Sequence, residues 1–197
     1  MIPIEIISRR IGNKNPYTGA CNVYVTGKVA TTGEEFQIIY RSAYELALFK
    51  LFCKNPEVKS ISYEGYIIKY TDRKADKTGK WIEIEHTYMP DFVINADSKG
   101  MVLIEAKGKF DKHNIRKFQA IRQQHPAVKI YFMLWDYNQQ MVLRGKTMFV
   151  RDWLTEHGYK YGWGYKMPNQ SLYWLKPKYK PRNSCCKAKE NGVTIYA

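Results

Sequence analysis

Carboxylates are scarce in this chain. Eighteen Asp and Glu stand against 32 Lys and Arg over 197 residues, a formal net charge of +14 at pH 7. Such a field disfavours cationic partners and draws polyanions, with binding that weakens as salt rises; the bland alternative is a basic, soluble protein. Cysteine is sparse too, and Cys21, Cys53, Cys185 and Cys186 lack CxxC spacing. That excludes a zinc ribbon or a disulfide framework and leads us to expect free thiols in a reducing cytoplasm. No leader pattern and no apolar run long enough to span a bilayer is present, so a cytoplasmic protein is expected. The basic residues do not fall on one long amphipathic helix, which argues against a membrane-surface protein. There is no internal repeat and no Gly-rich phosphate loop, so no nucleotide cofactor is expected.

What is present divides the chain into three parts. Residues 1–39 form an N-terminal extension whose alternating apolar and polar residues, with turn formers at Gly12–Pro16 and Thr31–Gly33, predict short strands. Residues 40–175 form the main domain. Within it, helices are predicted over 42–54, stopped by Asn55-Pro56, over 112–124, ended by His125-Pro126, and over 148–157, capped by Gly158. Strands are predicted over 58–70, 81–88 and 128–135. The connection 71–80 carries Arg73, Lys74, Lys77 and Lys80 and is either a solvated loop or a contact for a nucleic-acid backbone. Residues 176–197 are a basic tail, where prolines interrupt Lys176, Lys178, Lys180 and Arg182 and favour an extended arm.

Two β-rich runs, 91–95 and 101–105, flank the turn formers Ala96 to Gly100 and predict a tight hairpin. With symmetric pairing Asn95 faces Met101, and counting back sets Asp91 opposite Glu105, with Cβ atoms about 5 Å apart. Strand parity then places Glu105 and Lys107 on one face and Val102, Ile104 and Ala106 on the other. Two opposed carboxylates repel unless a cation such as Mg²⁺ lies between them, and the Ala106 carbonyl could add a further oxygen ligand. A lysine beside them can orient or help deprotonate a water. The alternative is an exposed ion pair at a strand end. The apolar flanks Phe92-Val93-Ile94 and Val102-Leu103-Ile104 weigh against it, because polar groups ending core strands need a reason.

The pair Pro90-Asp91 and Glu105-Ala106-Lys107 resembles the PD-(D/E)xK nuclease superfamily. A longer series resembles its phage endonuclease I branch, the resolvases of Holliday junctions. That series comprises Tyr40 to Glu45, His86 to Phe92, Ile104 to Gly108, Ile121 to Pro126 and Trp153 to Tyr161, and spans about residues 40 to 176. The resemblance implies a restriction-endonuclease-like α/β fold, a mixed sheet flanked by helices. It implies Asp91 and Glu105 as metal ligands, Lys107 as catalytic lysine and Glu45 as a helix-borne acid completing a two-metal site for Mg²⁺, with Mn²⁺ also supporting activity. Read from the residues alone, Ser42-x-x-Glu45 is equally a capping box.

The resemblance further implies a homodimer that cuts branched DNA, with partners exchanging an N-terminal element. The first 39 residues match the family least, which puts that exchange in question. The expected DNA-contacting residues are Arg41, Lys109, Arg116, Lys117, Lys176, Lys178, Lys180 and Arg182. The helix over 112–124 is expected to turn Arg116, Lys117 and Arg122 away from its apolar face. Of sixteen Tyr, eight Phe and five Trp, most are expected in the core. A histidine-based or zinc nuclease finds no support, because His86, His113, His125 and His157 lack a neighbouring His or Cys at ligand spacing. His125 and His157 read as helix-end residues, and His86 as a strand position with no further role. Two rivals remain. One is a head-completion, restriction-type or transposition nuclease of the same superfamily; the other is a non-catalytic DNA-binding or virion structural protein.

Overall fold

The computed structural model of the chain describes residues 4–14, 21–56, 58–96 and 100–164. The basic tail with Lys176, Lys178, Lys180 and Arg182, the Cys185-Cys186 pair and the turn at 97–99 lie outside them. Among the described residues, twelve strands and three helices build a mixed α/β chain. No helix among them is long and apolar enough to cross a membrane.

The central sheet has five strands. β4 (Val58–Tyr63), β7 (Phe92–Ala96) and β8 (Gly100–Lys107) pair antiparallel, and β9 (Ile130–Leu134) and β12 (Lys160–Trp163) continue it in parallel from β8. Near-continuous apolar sequence fits strands covered on both faces, and Phe92, Ile94, Val102, Leu103, Ile104 and Phe132 are buried. The hairpin register is the one expected: Asn95 pairs with Met101 and Phe92 with Ile104. Asp91 sits one residue before the strand.

Helices cover the two faces. α1 (Ala43–Cys53) begins at the N-cap Ser42, whose side chain accepts from the Glu45 amide. Its Phe52 meets Phe92 edge to face at 5.0 Å, while its Phe49 meets Phe36 at 5.9 Å. Phe36 belongs to β3 (Glu35–Tyr40), which with β1 (Ile4–Lys14) and β2 (Cys21–Val29) forms an antiparallel three-stranded sheet. α1 therefore lies between two sheets, which is why its apolar residues occupy nearly every side rather than one stripe. The strands expected over residues 1–39 form, β3 running on to Tyr40, and Val23, Val25 and Tyr40 of the three-stranded sheet are buried. Cys53 is buried as well, and burial pushes its thiol up to about 12, an unreactive side chain.

α2 (Lys112–Gln124) starts at Asp111, which accepts from the amides of His113 and Asn114. Its Phe118 packs on Phe132 at 4.7 Å. Phe132 pairs with Glu105, whereas Phe92 pairs with Ile104, so α2 lies on the face opposite α1. α3 (Val150–Glu156) is shorter than expected because β11 (Lys146–Phe149) occupies its predicted first turn. Gly158, with φ +66°, ends it, the Tyr159 amide reaching back to the Leu154 carbonyl. β11 pairs with β10 (Gln140–Leu143) through Arg144-Gly145, both at positive φ, the signature of a two-residue primed turn. His125 and His157 sit at helix ends as expected.

Residues 58–70 do not form one strand. Glu64 takes a φ of +51° and breaks the run into β4 and β5 (Ile68–Ala75). The connection 71–80 is shorter than expected too. β5 continues to Ala75 and pairs with β6 (Trp81–Tyr88) in a two-stranded hairpin closed by residues 76–80. Cross-strand pairs Arg73 with Glu83 and Lys69 with Glu85, each at 2.9 Å, hold a stem whose charged residues read as loop. His86 stacks on Tyr70 within this hairpin.

Candidate active site

Three chain segments meet at the end of the central sheet where β8 finishes and β7 starts. Strand parity turns Glu105 and Lys107 to the α2 face, and the Lys107 ammonium lies 2.6 Å from Glu105 Oε1. The other oxygen of Glu105 accepts from Tyr88 OH at 2.7 Å. Asp91 reaches the same place from the loop before β7. Its Oδ2 accepts from the Ala106 amide at 2.6 Å and its Oδ1 from Arg41 Nη2 at 3.0 Å. The register count thus brings the acids together, with the Ala106 backbone as the bridge. Both are nearly inaccessible, Asp91 at 6% and Glu105 at 4% exposure.

Burial, then the negative charge of Glu105, then that of Glu45, hold the Asp91 carboxyl well above the usual carboxylate range. The site places more carboxylate in low dielectric than it can comfortably ionise, and a cation is the natural remedy. The Tyr88 phenol is pushed up by burial first and Glu105 second. It therefore stays protonated and serves Glu105 as a donor.

Glu45 comes from the third residue of α1. Its Oε1 accepts from Ser42 Oγ at 2.9 Å; its Oε2 accepts from the Arg41 amide at 2.9 Å and from Tyr63 OH at 2.5 Å. This is a shifted capping box, in which the glutamate takes the amide of Arg41 and the hydroxyl, not the amide, of Ser42, reinforced by a tyrosine, and its charge bears on Asp91. Glu45 thus serves the start of α1, and its side chain is held by Ser42, Arg41 and Tyr63.

These groups line a cleft of about 1140 Å³ that includes Glu45, Asp91, Glu105, Ala106, Lys107 and Trp135. Among the described residues, no three His, Cys, Asp or Glu side chains converge on one point. A cation here would meet the acid pair and backbone oxygen rather than a closed cage. That fits Mg²⁺, which takes one or two carboxylates and keeps several waters.

Arg41 and Lys117, expected on a DNA-contacting surface, belong to this cleft. Arg41 bridges Asp91 and Glu64, the latter at 2.5 Å. Lys117 does not accompany Arg116 to the outside of α2. It turns inward, 3.5 Å from Glu105, with its ammonium over the rings of Phe118 and Tyr88 at 4.4 and 4.7 Å, and burial pushes its pKa down. Helical spacing from Phe118 did not reveal this, because a long side chain one residue from the apolar stripe can reach either way. Lys109 stands exposed at the cleft rim, and Arg116 is exposed on α2. The sequence reading also missed Tyr63 and Tyr88, whose hydroxyls position the two glutamates. Their only signal was Tyr88 in the stretch leading into Asp91.

A family model described as phage endonuclease I matches residues 27–181, from within β2 to beyond the described residues. Among curated proteins, the Endodeoxyribonuclease 1 of Enterobacteria phage T3 is 29% identical over 76 residues, covering 39% of this chain and 47% of the T3 protein. The chain spans about half the length of that relative. No solved structure gives a significant match.

Proposed function

Because the chain belongs to the phage endonuclease I family, we propose that it is a metal-dependent DNA endonuclease that cuts phosphodiester bonds in branched DNA, in the manner of a Holliday junction resolvase. The observation that carries this reading is the convergence of Asp91, Glu105 and Lys107 in one cleft bordered by basic side chains. The five-stranded sheet would be its restriction-endonuclease-like core. A homodimer suits the substrate, because a two-fold axis sets two identical sites at a fixed separation and lets junction shape be selected without reading bases. The enzyme would act in the cytoplasm of the phage's host.

Asp91, Glu105 and the Ala106 carbonyl would hold Mg²⁺ or Mn²⁺. When bound, such an ion polarises a phosphoryl oxygen and lowers the pKa of a bound water. Lys107 orients the attacking water and offsets charge that builds on the phosphate. Tyr88 fixes the rotamer of Glu105, leaving its other oxygen to Lys107. Lys109 and Arg116, with Lys176, Lys178, Lys180 and Arg182 of the tail, supply phosphate contacts.

Glu45 is the third acid of this reading, and Glu45→Gln separates its two roles. The amide keeps hydrogen-bonding atoms for Ser42 and Tyr63 but loses the charge. The expected result is cleavage reduced about 10–100-fold, the range for supporting groups at metal sites, with an unchanged thermal midpoint. Full activity would leave Glu45 as a helix cap alone.

The proposal is tested by incubating the full chain with a synthetic four-way junction, a linear duplex and a single strand, each with Mg²⁺ or with EDTA. Paired nicks in the junction, dependent on Mg²⁺, are expected. Preference for linear ends would favour the other nucleases of the superfamily, and no cleavage of any DNA would overturn the enzyme reading.

A further inference from the structure

The β5–β6 hairpin ends in an exposed, basic tip that the cleft does not use. Trp81, its last paired residue, is 69% exposed, unusual for the largest apolar side chain. Beside it, Lys74, Lys77 and Lys80 make no ion pair among the described residues, whereas the stem's Lys69 and Arg73 are neutralised by Glu85 and Glu83. Positive charge is thus left unpaired only at the far end.

That end is built firmly. Asp76 Oδ1 accepts from the Thr78 amide and hydroxyl and from the Lys80 amide at 2.7–3.0 Å, and Gly79 takes the positive φ that the turn demands. The stem is anchored on α2, where Gln124 accepts from the Thr71 amide and donates to the Thr71 carbonyl. His125 Nε2 also lies 2.7 Å from the Lys69 carbonyl.

The hairpin is aligned with the cleft. Thr87 lines the cleft wall, and strand alternation puts Thr87, Glu85, Glu83 and Trp81 on one face, all exposed. The opposite face carries Ile68, Tyr70 and Tyr88, all buried. Six residues of strand at about 3.4 Å each separate Thr87 from Trp81, or about 20 Å.

Resting on the nuclease reading above, we infer that the β5–β6 hairpin is a DNA-gripping arm whose tip, Lys77, Lys80 and Trp81, lies against the duplex leaving the cleft, about six base pairs from the scissile phosphate at about 3.4 Å per base pair. The lysines take phosphates and the indole packs on a sugar face, contacts that position a duplex without reading its sequence.

The test measures binding in EDTA, so that the substrate survives, to junctions with arms of about 4, 8 and 12 base pairs, bracketing the predicted contact. The unaltered chain should gain affinity once the arm passes about six base pairs. Trp81→Ala, and Lys77→Ala with Lys80→Ala, should weaken binding to the longest arms about tenfold, and the double lysine variant should lower the salt slope by about 2. Neither should change binding to the shortest arms, and Trp81→Phe should restore most of the loss. Unchanged affinity for long arms, or equal loss on all arms, would overturn the arm while Mg²⁺-dependent cleavage left the nuclease reading standing. Failure of the unaltered chain to bind any DNA would remove both.

Discussion

Lys107→Ala should lower the single-turnover rate of DNA cleavage by about 10²–10⁴-fold, the range for removing a positioned proton-handling group. Affinity for DNA, measured by mobility shift in EDTA, should stay within about twofold, as for substitutions outside the binding surface. The reason lies in where the ammonium sits. Lys107 is only 17% exposed at its side chain and points along the face of β8 to Glu105, so it adds little to the field that a DNA backbone meets. Lys117 keeps a positive charge beside Glu105 in the variant, which limits the cost to folding. It does not take over the chemistry, because its ammonium is held over the rings of Phe118 and Tyr88 and lies 3.5 Å from Glu105, against 2.6 Å for Lys107. Lys117→Ala should accordingly cost less than Lys107→Ala. Cleavage within a few-fold of the unaltered chain after removing Lys107 would refute its assigned role.

How much of this site could be read from sequence follows from how local each relation is. The hairpin register was legible because two apolar runs and a short turn leave one symmetric pairing, and a one-residue slip would have turned one strand's residues to the opposite face of the sheet. The α1 cap was legible because Ser42 and Glu45 are three residues apart. The pairing of Arg41 with Asp91 and the inward turn of Lys117 were not, since each is decided by a partner about fifty or twelve residues away. The β5–β6 stem was also hidden. Its Arg73–Glu83 and Lys69–Glu85 pairs satisfy charge across strands, while along the chain the same residues look like a polar loop.

Asp91→Asn should move activity and stability in opposite directions. Cleavage should fall by more than the about 10–100-fold seen when supporting residues of metal sites are changed, because Asp91 is placed as a ligand itself. In EDTA at neutral pH, the variant should unfold at a higher temperature, by about 2–4 °C for a gain of about 1 kcal/mol in a chain of this size. Asn keeps an acceptor oxygen for the Ala106 amide and removes a charge that burial and two neighbouring carboxylates oppose. Arg41 loses little, since it is more than half exposed and retains Glu64. The pH dependence carries the same sign. An acid whose pKa is higher in the folded than the unfolded chain makes the native state the better proton binder, so stability falls as pH rises from the ordinary Asp value of about 3.9 toward the raised one. That decline should flatten in the variant. Saturating Mg²⁺ should raise the melting temperature of the unaltered chain far more than that of Asp91→Asn, because only a folded site with both acids gains from the ion. A variant less stable than the parent in EDTA would mean that the hydrogen bonds of Asp91 outweigh its burial. Undiminished cleavage would remove Asp91 from the active site.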